Sequence, residues 1–429
     1  MGWSDVDRSV SLTCCAANGR PFIIDFCAVR SLQSAAILGD LKMPTPLFIT
    51  DPSLSSRTAT GVQLKLLLED IPVWRHLFWN GAELRSLDPR SRRIESALFC
   101  RLSFFKRDPM PRLGQVLARA GFSRWNGNEP KPGLVRWLRK EFRDDVSIVY
   151  VSPCSTREAE RTKALLIALE KPFVVHLWDM LDANQADSEA FRWLVEKAEH
   201  VFCVSESMIQ DIAPFQPHAS ILRFARKPSL HHASAPAGGP LRIALIGFCS
   251  PYVDGLVVLN EALKIVKAKN HEVKVIYIGS KKRLKGWSRH FDDEVNATGF
   301  MESEEKRDLL LSQCHVGFLP GPLASPVTDT RSRYSIPSRV LDFMATGLPI
   351  TGTVHPDGAT STYMATLGLD ACLGVNSPEL LADRLISLYD PSNWRFYSDL
   401  SSKGFEPAQQ QNRAFKDWLQ DVGATASAV

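Results

Sequence analysis

A chain of 429 residues is longer than one ordinary hydrophobic core supports, and it suits two α/β domains of roughly 150 to 220 residues each. With 45% hydrophobic and 23% charged residues it has the composition of a water-soluble protein, and no apolar run approaches the ~18 to 20 residues of a membrane-spanning helix. The net charge of +4 is too small to name a partner, and nine scattered cysteines without a Cys-x-x-Cys pair argue against zinc and against a disulfide framework.

The first 44 residues fit no regular pattern and are read as an N-terminal extension. They lack the basic-then-apolar pattern of a secretory signal, which predicts a cytoplasmic chain. "TPLFITDPS" (45–53) then reads as a strand, and "TGVQLKLLLEDI" as the helix that follows it. Gly61, at the start of that helix, either lets a backbone approach a ligand or simply makes a tight turn. Between Arg85 and Arg143 fifteen Lys/Arg face five Asp/Glu. Within that stretch "SALFCRLSFFKR" (Ser96–Arg107) interleaves aromatic and basic residues, as a helix on an anionic membrane surface would, or as a solvated helix with its aromatics turned inward. Nucleic acid is the weakest reading of this stretch.

"VSIVYVSP", "PFVVHLWD" and "HVFCVSES" are apolar, β-branched runs, each followed by a helix-compatible segment, and this alternation predicts a parallel sheet covered on both faces. "RKPSLHHASAPAGGP" has the composition of a linker, in which His231 and His232 read as solvated rather than metal-ligating. Alternation resumes with "LRIALIGFCSP", "VKVIYIGS" and "CHVGFLPG", so the fold class is α/β with two Rossmann-like domains facing across a cleft. The expected division is a first domain over 45–232 and a second over 240–405. The C-terminal "NRAFKDWLQDV" places Phe415, Trp418 and Leu419 on one helical face, ready to dock.

"YSIPSRVLDFMATGLPI" (334–350) reads as a helix from about residue 337, capped by Ser335 or Ser338 and ended by Gly347 and Pro349. Its N-terminus with Arg339 suits a diphosphate, and Asp342 a turn later suits the hydroxyls of a ribose or sugar; a capped core helix explains the segment equally well. There is no Gly-x-Gly-x-x-Gly and no Walker loop, and the one Asp-x-Asp, Asp5 to Asp7, has no strand ahead of it.

"PSRVLDFMATGLPI" resembles the donor-site signature of GT-B glycosyltransferases, in particular the retaining family 4 type with a Pro-Ser-Lys motif. "RIALIGFCSPYVDGLVVLNEAL" is similar to the opening of that fold's donor domain, and "VNATGFMESEEKRDLLLSQCHVGFLPG" to a later passage of it. "AEHVFCVSESM" resembles the final strand of the acceptor half. The resemblance implies metal-independent transfer of a hexose or related sugar from a nucleoside-diphosphate sugar to a hydroxyl acceptor, a lipid-linked glycan among the candidates. No cofactor is implied, the nucleotide sugar being a substrate. It places the donor among Gly247, Ser250, Gly279, Lys281, Ser335, Ser338, Arg339 and Asp342, with the C-terminal helix (408–429) crossing back to the first domain. His176 and Asp179, in "VVHLWDMLD", fall near the acceptor, where His176 bonds the sugar or takes a proton, or else is a satisfied core histidine. The family's first acidic position falls on Tyr334. Its loop Arg and Lys are missing from "GFCSPYVDG", which leaves Arg331, Arg333, Arg339, Lys281, Lys282 and Arg283 as the available cations. A nucleotide-sugar epimerase of the same architecture and a non-catalytic sugar-nucleotide or glycan-binding protein are the alternatives.

Overall fold

A computed structural model of the chain describes the strand segments 12–15, 21–24, 45–50 and 75–78, residue 139, and residues 146–426 except 154–155, 179–187, 224–225, 293–294, 300, 302, 370–373 and 375. β1 (Leu12–Cys15) and β2 (Pro21–Ile24) form an antiparallel pair apart from the two large sheets.

The first large sheet has six strands in the order β4-β3-β5-β6-β7-β8, all parallel. They are β3 (Thr45–Thr50), β4 (Arg75–Phe78), β5 (Val146–Ser152), β6 (Phe173–Leu177), β7 (His200–Cys203) and β8 (Ala219–Ile221). Every residue of β6 is buried, which is why "FVVHL" reads as a continuous apolar run rather than an alternating one. Crossovers are made by α1 (Thr156–Leu169), α2 (Glu189–Lys197) and α3 (Glu206–Ile212). The strand "HVFC" is not the last of this half: β8 pairs outside it as a three-residue edge.

The second sheet has five parallel strands in the order β11-β10-β9-β12-β13. These are β9 (Leu241–Ile246), β10 (Val273–Ile278), β11 (Asn296–Ala297), β12 (Val316–Pro320) and β13 (Ile350–Thr353). Its helices are α4 (Val253–Ala268), α5 (Lys281–Leu284), α6 (Glu304–Ser312), α7 (Thr330–Tyr334), α8 (Arg339–Ala345), α9 (Ala359–Thr366) and α10 (Pro378–Ser387). The period of two divides β9 between two cores. Leu241, Ile243 and Leu245 pack with α4 and α10, while Ala244 and Ile246 pack with α8 and the core shared with the first domain.

The two halves are joined by the linker after β8 and by the 36-residue helix α11 (Pro391–Ala426). α11 begins on the second domain, where Trp394 donates its indole N–H to the His315 carbonyl at 2.7 Å and Ser398 bonds Gly347 O at 2.6 Å. It ends on the first. There Phe415 lies edge-on to Phe202 at 5.1 Å and beside Tyr150, and Trp418 meets Phe202 at 5.3 Å. The expected docking face is thus real for Phe415 and Trp418, and burying each such ring is worth ~2 to 3 kcal/mol. Among the described residues no helix is long and apolar enough to cross a membrane. Cys203, Cys249 and Cys314 are free and buried.

Candidate functional site

The carboxyl end of β9 opens the site. Past Ile246 the chain turns at Gly247, whose φ of +75° is left-handed and favours glycine, and passes through a short 3-10 turn at Ser250–Tyr252 into α4. This loop is held from three directions. Tyr277, at the end of β10, donates its hydroxyl to Gly247 O at 2.6 Å, and its ring lies where a side chain at Gly279 would stand. Arg339, the first residue of α8, donates Nη1 to Ile246 O at 2.8 Å and Nη2 to Phe248 O at 3.3 Å, with its guanidinium over the Tyr252 ring. Arg331 of α7 donates to Pro251 O at 2.9 Å.

The α5 turn packs against the same loop. Arg283 stacks over Phe248 at 5.3 Å, and Ser250 lies against Gly286. Phe248 stays half-exposed, and Lys281 and Lys282 of the α5 turn are exposed. Gly247, Ser250, Gly279, Lys281 and Arg339 are therefore brought together at the carboxyl ends of β9 and β10, the edge where ligands of parallel sheets bind. Arg339 spends some of its five donors on the loop and keeps others available for an anion.

The next segment departs from expectation. Ser338 already has helical dihedrals (φ −58°, ψ −23°) and makes no side-chain cap, and α8 starts with tight bonds from Val340 to Pro337 O and from Leu341 to Ser338 O. Ser335 is no N-cap either, because it closes α7, its N–H bonding Arg331 O and its carbonyl accepting from Thr360.

Asp342 does not face an open donor site. Its Oδ1 lies 2.9 Å from Arg226 Nε and 2.9 Å from an Arg307 Nη, and its side chain is largely covered. Arg226, from the linker, is 3% exposed and also pairs with Asp308 and, at 3.2 Å, Glu304 of α6. Burial pulls the Arg226 pKa down, and Asp342, Asp308 and Glu304 together overcome it and raise it. The ribose role expected for Asp342 is thus replaced by a structural one: a short acid meets two arginines, one of them from a distant segment.

His176 is corrected in the same way. It is fully buried on β6, Tyr150 donates its hydroxyl to Nδ1, and Nε2–H donates to Leu222 O at 3.0 Å. Burial lowers its pKa to about 3, against a weaker upward pull from the Leu222 carbonyl. With both nitrogens engaged and the ring packed on Trp178 and Phe202, it is a neutral core histidine and not a base. Asp179, Gly61 and the Ser96–Arg107 segment lie outside the described residues.

Sequence reasoning missed the contacts across the cleft. Asp211 of α3 bonds Arg333 with one carboxylate oxygen and the Tyr334 hydroxyl with the other. Burial, then the Asp211 bond, raise the Tyr334 pKa to about 12. Beside them Arg223, itself bonded to Glu206, lies 4.3 Å from the Tyr363 ring centroid in α9. Nothing in the local pattern of "ESMIQDIAPF" signals that Asp211 reaches the other domain.

Residues 240–391 match the family model described as glycosyl transferases group 1. No curated protein sequence matches the chain. Among solved structures, the chain is similar to Anabaena Alr3699/HepE in complex with UDP and glucose, with a TM-score of 0.59 at 13% identity over 90% of this chain and 100% of that one. It is also similar to the alpha,alpha-trehalose 6-phosphate synthase of Burkholderia multivorans (TM-score 0.56, 11% identity, 90% and 99% covered). A glycosyltransferase from Rickettsia africae ESF-5 is a third such structure (0.54, 10% identity, 89% and 98%). The chain therefore has the two-domain Rossmann-like fold of GT-B glycosyltransferases, and its second domain carries the group 1 match.

Proposed function

We propose that the protein is a glycosyltransferase that moves a sugar from a nucleoside diphosphate to a hydroxyl acceptor, with retention and without a metal. The observation that carries the reading is the convergence of Arg339 and Arg283 on the β9 loop, with the exposed Lys281 and Lys282 in the same turn as Arg283, inside the domain whose sequence matches group 1 glycosyltransferases. Similar structures hold UDP and UDP-glucose, which makes UDP the first nucleotide to try. Breaking the sugar-phosphate bond puts negative charge on the departing diphosphate and positive character on the anomeric carbon. Cations fixed in advance around the loop stabilise the first of these, and a cleft that excludes water strengthens their effect. A hexose as the sugar belongs to the same reading, with a lipid-linked glycan, a protein or a small molecule as the hydroxyl acceptor and peripheral contact to a membrane through residues 85–143.

The test is incubation with UDP, GDP, ADP and TDP sugars, with and without an acceptor panel, reading free nucleotide and product anomer in the presence and absence of EDTA. Release of nucleotide that requires acceptor and survives EDTA is expected. Conversion of the donor alone to an isomeric nucleotide sugar would establish an epimerase instead. The burial of His176 and the occupation of Asp342 favour one other reading, a protein that binds nucleotide sugars without transferring them. Nucleotide binding without product in any acceptor would establish that reading.

A further inference from the structure

We propose that Asp211, carried by the first domain, accepts hydroxyl groups of the transferred sugar from across the cleft and so helps to select it. This rests on the reading of the second domain as a donor site. A sugar offers hydroxyl donors, and an open carboxylate is a strong acceptor for them. Asp254, exposed in the first turn of α4, belongs to the second domain itself, and several other described acids around the cleft are committed. Asp342, Asp308 and Glu304 surround Arg226 and Arg307, Glu206 holds Arg223, and Asp329 caps α7 while binding Arg331.

Asp211 differs in position. It stands on α3 and reaches α7 of the second domain, next to the segment that runs from Tyr334 to Arg339. Its side chain is 25% exposed. Each oxygen receives one bond, from Arg333 or from Tyr334, and a carboxylate has about four lone-pair sites, so each oxygen can take a further donor. The two bonds also fix its orientation, which is what recognition of a hydroxyl at a set position requires. Because the acid belongs to one domain and the cationic loop to the other, the sugar would be read only when the domains are together.

The test compares binding of a nucleoside diphosphate with binding of its sugar conjugate by calorimetry, UDP against UDP-glucose first and the GDP, ADP and TDP pairs after it. The full chain is used as wild type, Asp211→Ala and the isosteric Asp211→Asn. Asp211→Ala is expected to weaken the sugar conjugate by about 10- to 100-fold and the bare diphosphate by less than about 2-fold, as for loss of a charge-assisted bond to the sugar. Asp211→Asn, which keeps one acceptor oxygen, should fall between. Equal loss on both ligands, or no loss on the sugar conjugate, overturns the proposal and leaves Asp211 as a brace. A wild-type protein that binds none of the panel overturns the donor-site reading and this inference with it.

Discussion

Arg226 is the residue on which the arrangement of the two domains depends most. It leaves the first domain just after β8 and lies among Glu304, Asp308 and Asp342 of the second, with Arg307 as the neighbouring cation. Arg226→Met keeps much of the stem packing and removes only the charge. Arg307 would remain to Asp342 at 2.9 Å and Glu304 at 3.6 Å, and the 6%-exposed side chain of Asp308 would lose its ion-pair partner. Breaking a buried pair from one side costs about 3 to 5 kcal/mol, most of it the desolvated charge left behind. Urea unfolding at pH 7 should show a loss in that range. The double variant Arg226→Met/Asp308→Asn should recover at least ~1 to 2 kcal/mol relative to the sum of the single changes, since neutralising the stranded acid removes much of the penalty. A loss below about 1 kcal/mol for Arg226→Met, or strict additivity of the pair, would refute the reasoning.

Arg339→Ala should weaken nucleoside-diphosphate binding by ~1.5 to 3 kcal/mol, through a lost contact and a loosened β9 loop, and calorimetry with UDP checks it. Gly279→Ala should destabilise the fold by ~1 to 3 kcal/mol, because the new methyl displaces the Tyr277 ring and with it the bond to Gly247 O; Tyr277→Phe in the same background should then cost little more. His176 stays neutral in the folded state down to about pH 3, whereas in the unfolded chain it takes up a proton below about 6.5. Its contribution is therefore complete above that value and is lost as pH falls, by ~1.4 kcal/mol per unit between pH 6 and 4. Wild type should lose stability over that range more steeply than His176→Gln, and parallel pH profiles of the urea midpoint would contradict the assignment.

What could be read from the sequence followed from local physics. Buried strands such as "FVVHL" announce themselves by composition, and the face bearing Phe415 and Trp418 by its period. Gly247 and Arg339 meet at the carboxyl end of β9. Asp342 and His176 went the other way for a common reason. Each was assigned by its neighbours in sequence, and each is claimed by a partner far from it: Asp342 by Arg226 of the linker, His176 by Leu222 beyond β8 and by Tyr150. A helix pattern records where an acid lies on the helix, and it carries no information about which distant cation will reach it. β4 and β8 escaped notice because four- and three-residue edge strands carry too little pattern to stand out.

The same contacts decide how the cleft can move. On the linker side the domains are joined by Arg226, buried among its acids, with its carbonyl accepting from Gln409 of α11 at 2.9 Å, and by Ala233 N–H on Thr346 O at 2.9 Å. On the side of α3 they meet through Asp211 with Arg333 and Tyr334, where the ion pair is 25% and 42% exposed, and through the Arg223 and Tyr363 stack. An exposed ion pair is worth about 0 to 1 kcal/mol and a cation over a ring about 0.5 to 2, against the 3 to 5 that opposes breaking the buried cluster. The domains should therefore part at α3 and stay joined at the linker. That places the hinge beside Arg226 and α11, and makes the Asp211 contact the one that forms last when the cleft closes.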